Sequence, residues 1–170
     1  LQRSRENDVR VIRTRAALHH ALLRLAERMD FAGITITAIA EEAGIGYATF
    51  FRHYADKQSL LAAVATELVD ELVQEMAISA AEEPARAGQM LARFVDERRG
   101  ICHALLVGAG NEIRRVVTER AVLGSEAVTP PLSGAFPTAM VISHSVSASL
   151  TLMAWWLENP GTMTREALGQ

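Results

Sequence analysis

The chain has 170 residues and a formal net charge of −3; 49% of its residues are apolar, only 5% are aromatic, and Cys102 is the single cysteine. A core built from Ala, Leu, Val, Ile and Met favours helices over sheets, and the length admits a small module packed on a larger one. One cysteine excludes an intrachain disulfide, and with no hydrophobic signal segment at the start it sets the expectation of a cytoplasmic protein.

Charge is divided unevenly. Residues 1–58 carry +2 and residues 59–170 carry −5, and seven arginines crowd residues 1–28 against Glu6, Asp8 and Glu27. A basic front on an acidic body implies that only the front meets a polyanion.

The elements follow in order. Leu1–Asp8 is polar and Arg-rich, and is expected to fray. In Val9–Met29, residues Leu18, Leu22, Leu25 and Met29 recur on one stripe of a first amphipathic helix, which Asp30-Phe31-Ala32-Gly33 ends. Thr35 is placed to cap a short second helix carrying Ile36, Ile39, Ala40 and Ala43, with Gly44 as its stop. A third helix is predicted from Tyr47 to near Tyr54. A fourth runs from Lys57 to about Ala80, with Leu61, Val64, Leu68, Leu72 and Met76 inside.

Met90, Leu91, Phe94 and Val95 mark a fifth helix closing at Arg98-Arg99-Gly100. Ile101, Leu105 and Leu106 mark a short sixth, and Ile113, Val116 and Val117 a seventh that reaches about Leu123. Gly124–Pro137 holds three prolines and reads as a long loop. A final helix spans Thr138 to Glu158. No charged residue lies between Glu126 and Glu158, so this segment is long enough for a bilayer. Its serines, threonines and His144, and its lack of a basic flank, instead predict a helix covered by protein surfaces, a second subunit included, with no membrane contact.

The segment Ile36–Tyr54 fits a helix-turn-helix: two short helices joined by a Gly-containing turn, with Ala40 small, Gly44 turning and Ile45 buried. Phe31-x-Gly33-Ile34-Thr35, Ile39-Ala40, Gly44-Ile45, Thr49-Phe50-Phe51-x-His53-Tyr54 and Lys57-x-x-Leu60 together resemble the tetracycline-repressor (TetR) family. The resemblance is strong over this first third and weak beyond it, where helix count and Trp155-Trp156-Leu157-Glu158 are similar. It implies an all-α homodimer whose third helices read two half-sites of a palindromic DNA operator. It also implies a C-terminal domain that binds a small effector.

Carried over by residue, the resemblance implies phosphate contacts for Thr35, His53 and Lys57, and groove-facing roles for Thr37, Tyr47 and Thr49. Gly46 and Phe51 stand where the family often carries a Ser or Thr hydroxyl and a tyrosine, and Arg52, Arg13 and Arg15 offer compensating charge. Lys57, the only lysine, opposes the dipole at the start of its helix, which suggests an anion in front of it. Phe50 and Tyr54 read as core.

The C-terminal part carries no metal-ligand pair, phosphate loop or nucleophile elbow, so neither an enzyme nor a cofactor is expected. Cys102 and His103 are adjacent, and diverge by about 100° on a helix. By the same resemblance the effector pocket lies among helices four to eight, with Met90, Phe94, His103, Leu106, Phe136 and Trp155 as candidates to line it.

The reading is a DNA-binding regulator, expected to repress and to be released by a small apolar ligand, with residues 1–56 binding DNA and 57–170 binding ligand and dimerising. The alternative is a helix-turn-helix protein controlled by a protein partner or a metal.

Overall fold

A computed structural model describes residues 2–82, 87–128 and 136–169, and among them every regular element is a helix. These are α1 (Gln2–Ala26), α2 (Ile36–Glu42), α3 (Tyr47–Phe50), α4 (Lys57–Glu82), α5 (Ala87–Glu97), α6 (Arg99–His103), α7 (Gly110–Val128), α8 (Thr138–Glu158) and α9 (Arg165–Leu168). A 3-10 turn (Phe31–Gly33) joins α1 to α2, and a π turn (Ala104–Gly108) continues α6.

The first stripe behaves as its spacing predicts. Leu18, Leu22 and Leu25 are buried, and they meet Ile34, Ile39, Phe50, Leu60, Leu61 and Val64 in one core. Met29 departs from it: α1 stops at Ala26, so Met29 lies beyond the helical register and is exposed. At the other end, α1 begins at Gln2 rather than Val9.

Helix α4 runs past this core into the C-terminal body, where α7 packs along it. That approach depends on Gly124, where a Cβ would lie 2.9 Å from the Val73 side chain. The same seam is pinned by Arg120, which donates to both Asp70 oxygens at 2.6 Å. Because α7 continues to Val128, the loop predicted from Gly124 begins later than expected; Pro130, Pro131 and Gly134 lie outside the described residues. Periodicity also missed α9, which Thr164 caps by accepting from the Ala167 N–H at 3.2 Å.

Candidate nucleic-acid interface and effector cavity

The Thr35 hydroxyl accepts the Ala38 N–H at 3.1 Å and so caps α2, satisfying one of the donors a helix start leaves open. After α2 the chain reverses at Gly44, whose φ of +67° few side-chain-bearing residues adopt. The Ile45 N–H returns to the Ala40 carbonyl at 2.9 Å. Gly46 caps α3 through its backbone alone, its carbonyl accepting from the Thr49 N–H at 2.8 Å.

Helix α3 is one turn long, ending at Phe50 where the sequence predicted continuation to near Tyr54; residues 51–53 are turns. Phe50 is fully buried and fastens this turn to the core. Tyr47, 55% exposed, and Phe51, 46% exposed, project from it with their rings edge to face at 5.2 Å. Thr35, Thr37, Gly46 and Arg52 are exposed, and Thr49 and His53 are half-buried. Burial first, then the charges of Arg15 and Arg52, lowers the His53 pKa below its usual 6.5, so its imidazole is neutral at pH 7.

Lys57 differs from expectation. Its ammonium donates to the carbonyls of Phe31 (2.9 Å), Ala32 (3.2 Å) and Ile34 (2.9 Å), and lies 4.7 Å from the centre of the Phe31 ring. Three carbonyl dipoles resolve the conflict with the α4 dipole, so the inference that an external anion must do so falls. The residue instead ties the start of α4 to the turn that leads into Thr35.

Sequence reasoning missed a polar chain behind this surface. His19 is buried, its Nδ1 2.7 Å from Glu67 Oε2 and its Nε2 2.6 Å from the Tyr54 hydroxyl, which also accepts from Arg15 Nε at 3.2 Å. The available signal was a histidine beside Leu18 on the apolar stripe, with a tyrosine at a core position needing a partner for its hydroxyl.

In the C-terminal body, a cavity of about 50 Å³ lies among α4, α5, α7, α8 and the α6–π segment. Its lining is wholly apolar apart from the Cys102 thiol, and includes Phe94 and Leu106. The other four pocket candidates lie elsewhere. Met90 borders an open groove of about 390 Å³ between α5 and α9, with Arg93, Arg165 and Glu166. His103 is half-buried outside the lining, and Phe136 is exposed before α8. Trp155 is 45% exposed because its neighbour Trp156, about 100° further round the helix, takes the buried side and donates its indole N–H to the Met163 carbonyl at 3.0 Å.

Burial pushes the Cys102 thiol up to about 12, which leaves it protonated and inert at neutral pH. No cluster of three potential metal ligands occurs among the described residues.

Residues 18–64 match the model of the family described as "Bacterial regulatory proteins, tetR family". Over 79 residues, 46% of the chain, the sequence is 40% identical to the uncharacterized HTH-type transcriptional regulator YxbF of Bacillus subtilis (strain 168); the match spans about a fifth (21%) of that protein. In three dimensions the chain is similar to a TetR transcriptional regulator from Rhodococcus sp. RHA1, with a TM-score of 0.67, 16% identity, and 97% of this chain and 91% of that one covered. It is also similar to AlkX of Dietzia sp. strain DQ12-45-1b, a TetR family repressor implicated in biodegradation of n-alkanes. There the TM-score is 0.56 at 17% identity, over 91% and 89% of the two chains. At these identities the structural likeness establishes the fold.

Proposed function

Through its N-terminal residues 18–64 this chain belongs to the tetR family of bacterial regulatory proteins, and from that premise we propose that it is a cytoplasmic repressor that binds a palindromic operator as a homodimer and is released by a small apolar effector. It is a DNA-binding transcription regulator and not an enzyme. We assign residues 1–56 to DNA binding and 57–170 to effector binding and dimerisation.

The observation that carries the reading is α3 itself, a single turn anchored by Phe50 and presenting Tyr47 and Phe51 outward. Buried aromatic residues hold an element, whereas exposed ones on a rigid element await a partner. Tyr47, Thr49 and Thr37 face base edges in this assignment, and Thr35, Gly46, Phe51, Arg52 and His53 lie along the backbone. Lys57 supports them by fixing the turn before Thr35.

Dimerisation is supported by α8. It is long and apolar enough to cross a membrane, yet only 28% of its most apolar window is buried within the chain. Met140, Val141, Leu152 and Trp155 are exposed on it, as is the small-residue stripe Ala139, Ser143 and Ser147. A second copy supplies the missing cover, with α7 and α8 of each subunit forming a four-helix bundle.

The cavity, apolar but for the Cys102 thiol, supports an apolar effector, but its volume of about 50 Å³ holds no more than a small fragment. The effector therefore selects an opened conformation whose recognition helices no longer match half-sites about 34 Å apart. The tight core also favours a second reading, in which a protein partner performs the release.

Selection of bound duplexes from a random library, with sedimentation at micromolar concentration, tests the proposal. The expected result is a palindrome enriched by a dimer, released by an apolar compound. A sedimenting monomer, or enrichment without sequence preference, overturns it; release only by a cell protein supports the second reading.

A further inference from the structure

The core that joins α1, α3 and α4 is apolar except at one place. Burial of Leu18, Leu22, Phe50, Leu61 and Val64 gives cohesion, but hydrophobic contact is non-directional and tolerates small rotations of one helix on another. Hydrogen bonds do not tolerate them, since they weaken steeply as distance and angle depart from their optimum. His19 supplies two such bonds from a site 5% exposed, one to α4 and one to the segment that follows α3.

The chemistry of the partners orders the hydrogens. A carboxylate only accepts, so His19 Nδ1 carries a hydrogen and donates to Glu67. In the neutral imidazole Nε2 then accepts from the Tyr54 hydroxyl, whose oxygen is free to accept from Arg15 Nε. Each hydrogen along the chain is used once, and among the described residues no buried side-chain polar atom lacks a partner.

At one end the chain of bonds reaches the recognition segment. The Tyr54 N–H donates to the Phe50 carbonyl at 3.0 Å, and the two rings lie 6.1 Å apart, so a shift of Tyr54 carries α3 with it. At the other end Glu67 shares one turn of α4 with Asp70 and Glu71. These grip Arg120 of α7 and Arg98 beside α6, at 2.6 Å in both cases. One stripe of α4 thus holds both the residue that reaches the DNA-reading part and those that reach the C-terminal body.

We propose that His19 is a positioning residue that sets the angle between α3 and α4 through Tyr54 and Glu67, and thereby sets selectivity for the operator over other DNA. The inference rests on the operator reading above. A purely structural histidine would influence stability; a positioning one influences the ratio of selective to unselective binding even where stability is intact.

The test uses the full chain, the duplex that the wild type enriches from a random library, and a scrambled duplex of equal composition. Tyr54→Phe leaves His19 Nε2 buried without a partner, so melting temperature and selectivity both fall. The pair Tyr54→Phe with His19→Leu removes that orphan and restores the melting temperature. Selectivity is expected to stay about tenfold below wild type, a size usual for coupling between sites. Glu67, 69% exposed, provides a variant that removes no buried carbon and changes only the acceptor of the His19 Nδ1–H, so its melting temperature is read beside its selectivity. Glu67→Ala loses selectivity, and Glu67→Gln, which keeps the accepting oxygen, retains it. Selectivity that recovers with melting temperature in the pair, or that survives Glu67→Ala, overturns the positioning role while leaving the operator reading in place. A wild type that does not discriminate between the two duplexes overturns both.

Discussion

Gly100, at the start of α6, lies directly on the last peptide of α1: a Cβ at position 100 would stand 2.7 Å from the Ala26 carbonyl carbon and 2.9 Å from Glu27 Cα. Both obstacles are backbone, so neither can rotate away. Nearby, Gly108 at the end of the π turn lies 3.8 Å from Phe31 Cβ by the same measure. The α6–π segment therefore touches the DNA-reading part at both ends while Cys102, Leu105 and Leu106 wall the cavity between. We expect Gly100→Ala to push α6 off α1 and to cost about 1–3 kcal/mol, as overpacking does. Denaturant unfolding measures the loss, and a variant as stable as wild type contradicts the contact.

Lys57 gives a second prediction. Replacing it with Met keeps the stem but takes the shared ammonium from three carbonyls, leaving the Phe31 oxygen with only the Ile34 N–H. Hydrogen bonds to charged groups contribute about 1.5–3 kcal/mol, so Lys57→Met should destabilise by roughly that amount. The salt dependence of DNA binding should keep its slope, because this cation is already engaged within the protein. A slope shallower by about one unit with unchanged stability identifies a phosphate contact instead.

The third concerns pH. Burial and two arginines lower the pKa of His53 from 6.5, so the folded chain binds this proton less readily than the unfolded chain does. Stability from this residue is thus full above pH 6.5 and declines as pH falls from there through the lowered value. A phosphate beside His53 acts in the opposite sense and favours the imidazolium. Affinity for DNA should therefore rise as pH falls from 7.5 to 6, and His53→Gln should flatten that rise. Identical pH profiles for the two proteins refute a phosphate at this position.

Cys102 provides the fourth. Its thiol, pushed up to about 12 by burial, presents almost no thiolate at pH 8. Iodoacetamide should leave the native protein unlabelled and modify it fully in denaturant. Rapid labelling of the folded chain would reopen thiol sensing.

The helix-turn-helix was legible because its signals are local. Thr35 can cap, Gly44 can reverse and Phe50 can anchor whatever the rest of the chain does, and all three sit in the structure as spacing predicts. The cavity lining was legible only in part: Phe94 and Leu106 border it, whereas Met90, His103, Phe136 and Trp155, chosen by chemical type and helix membership, lie elsewhere. Their facing depends on which neighbour wins the inner side, as Trp156 does over Trp155. The intrachain partners of Lys57 were not legible for a related reason: its carbonyls lie more than twenty residues earlier, beyond any local pattern.

Periodicity, capping and turn residues thus determined by themselves a helical chain with a helix-turn-helix near its start, because these effects act within a few residues. Only the tertiary structure decided how small the apolar cavity is, that Gly100 bears on α1, and that His19 joins Tyr54 to Glu67. Those outcomes require elements from distant parts of the chain to occupy one space, where a single methyl group or hydroxyl decides which packing survives.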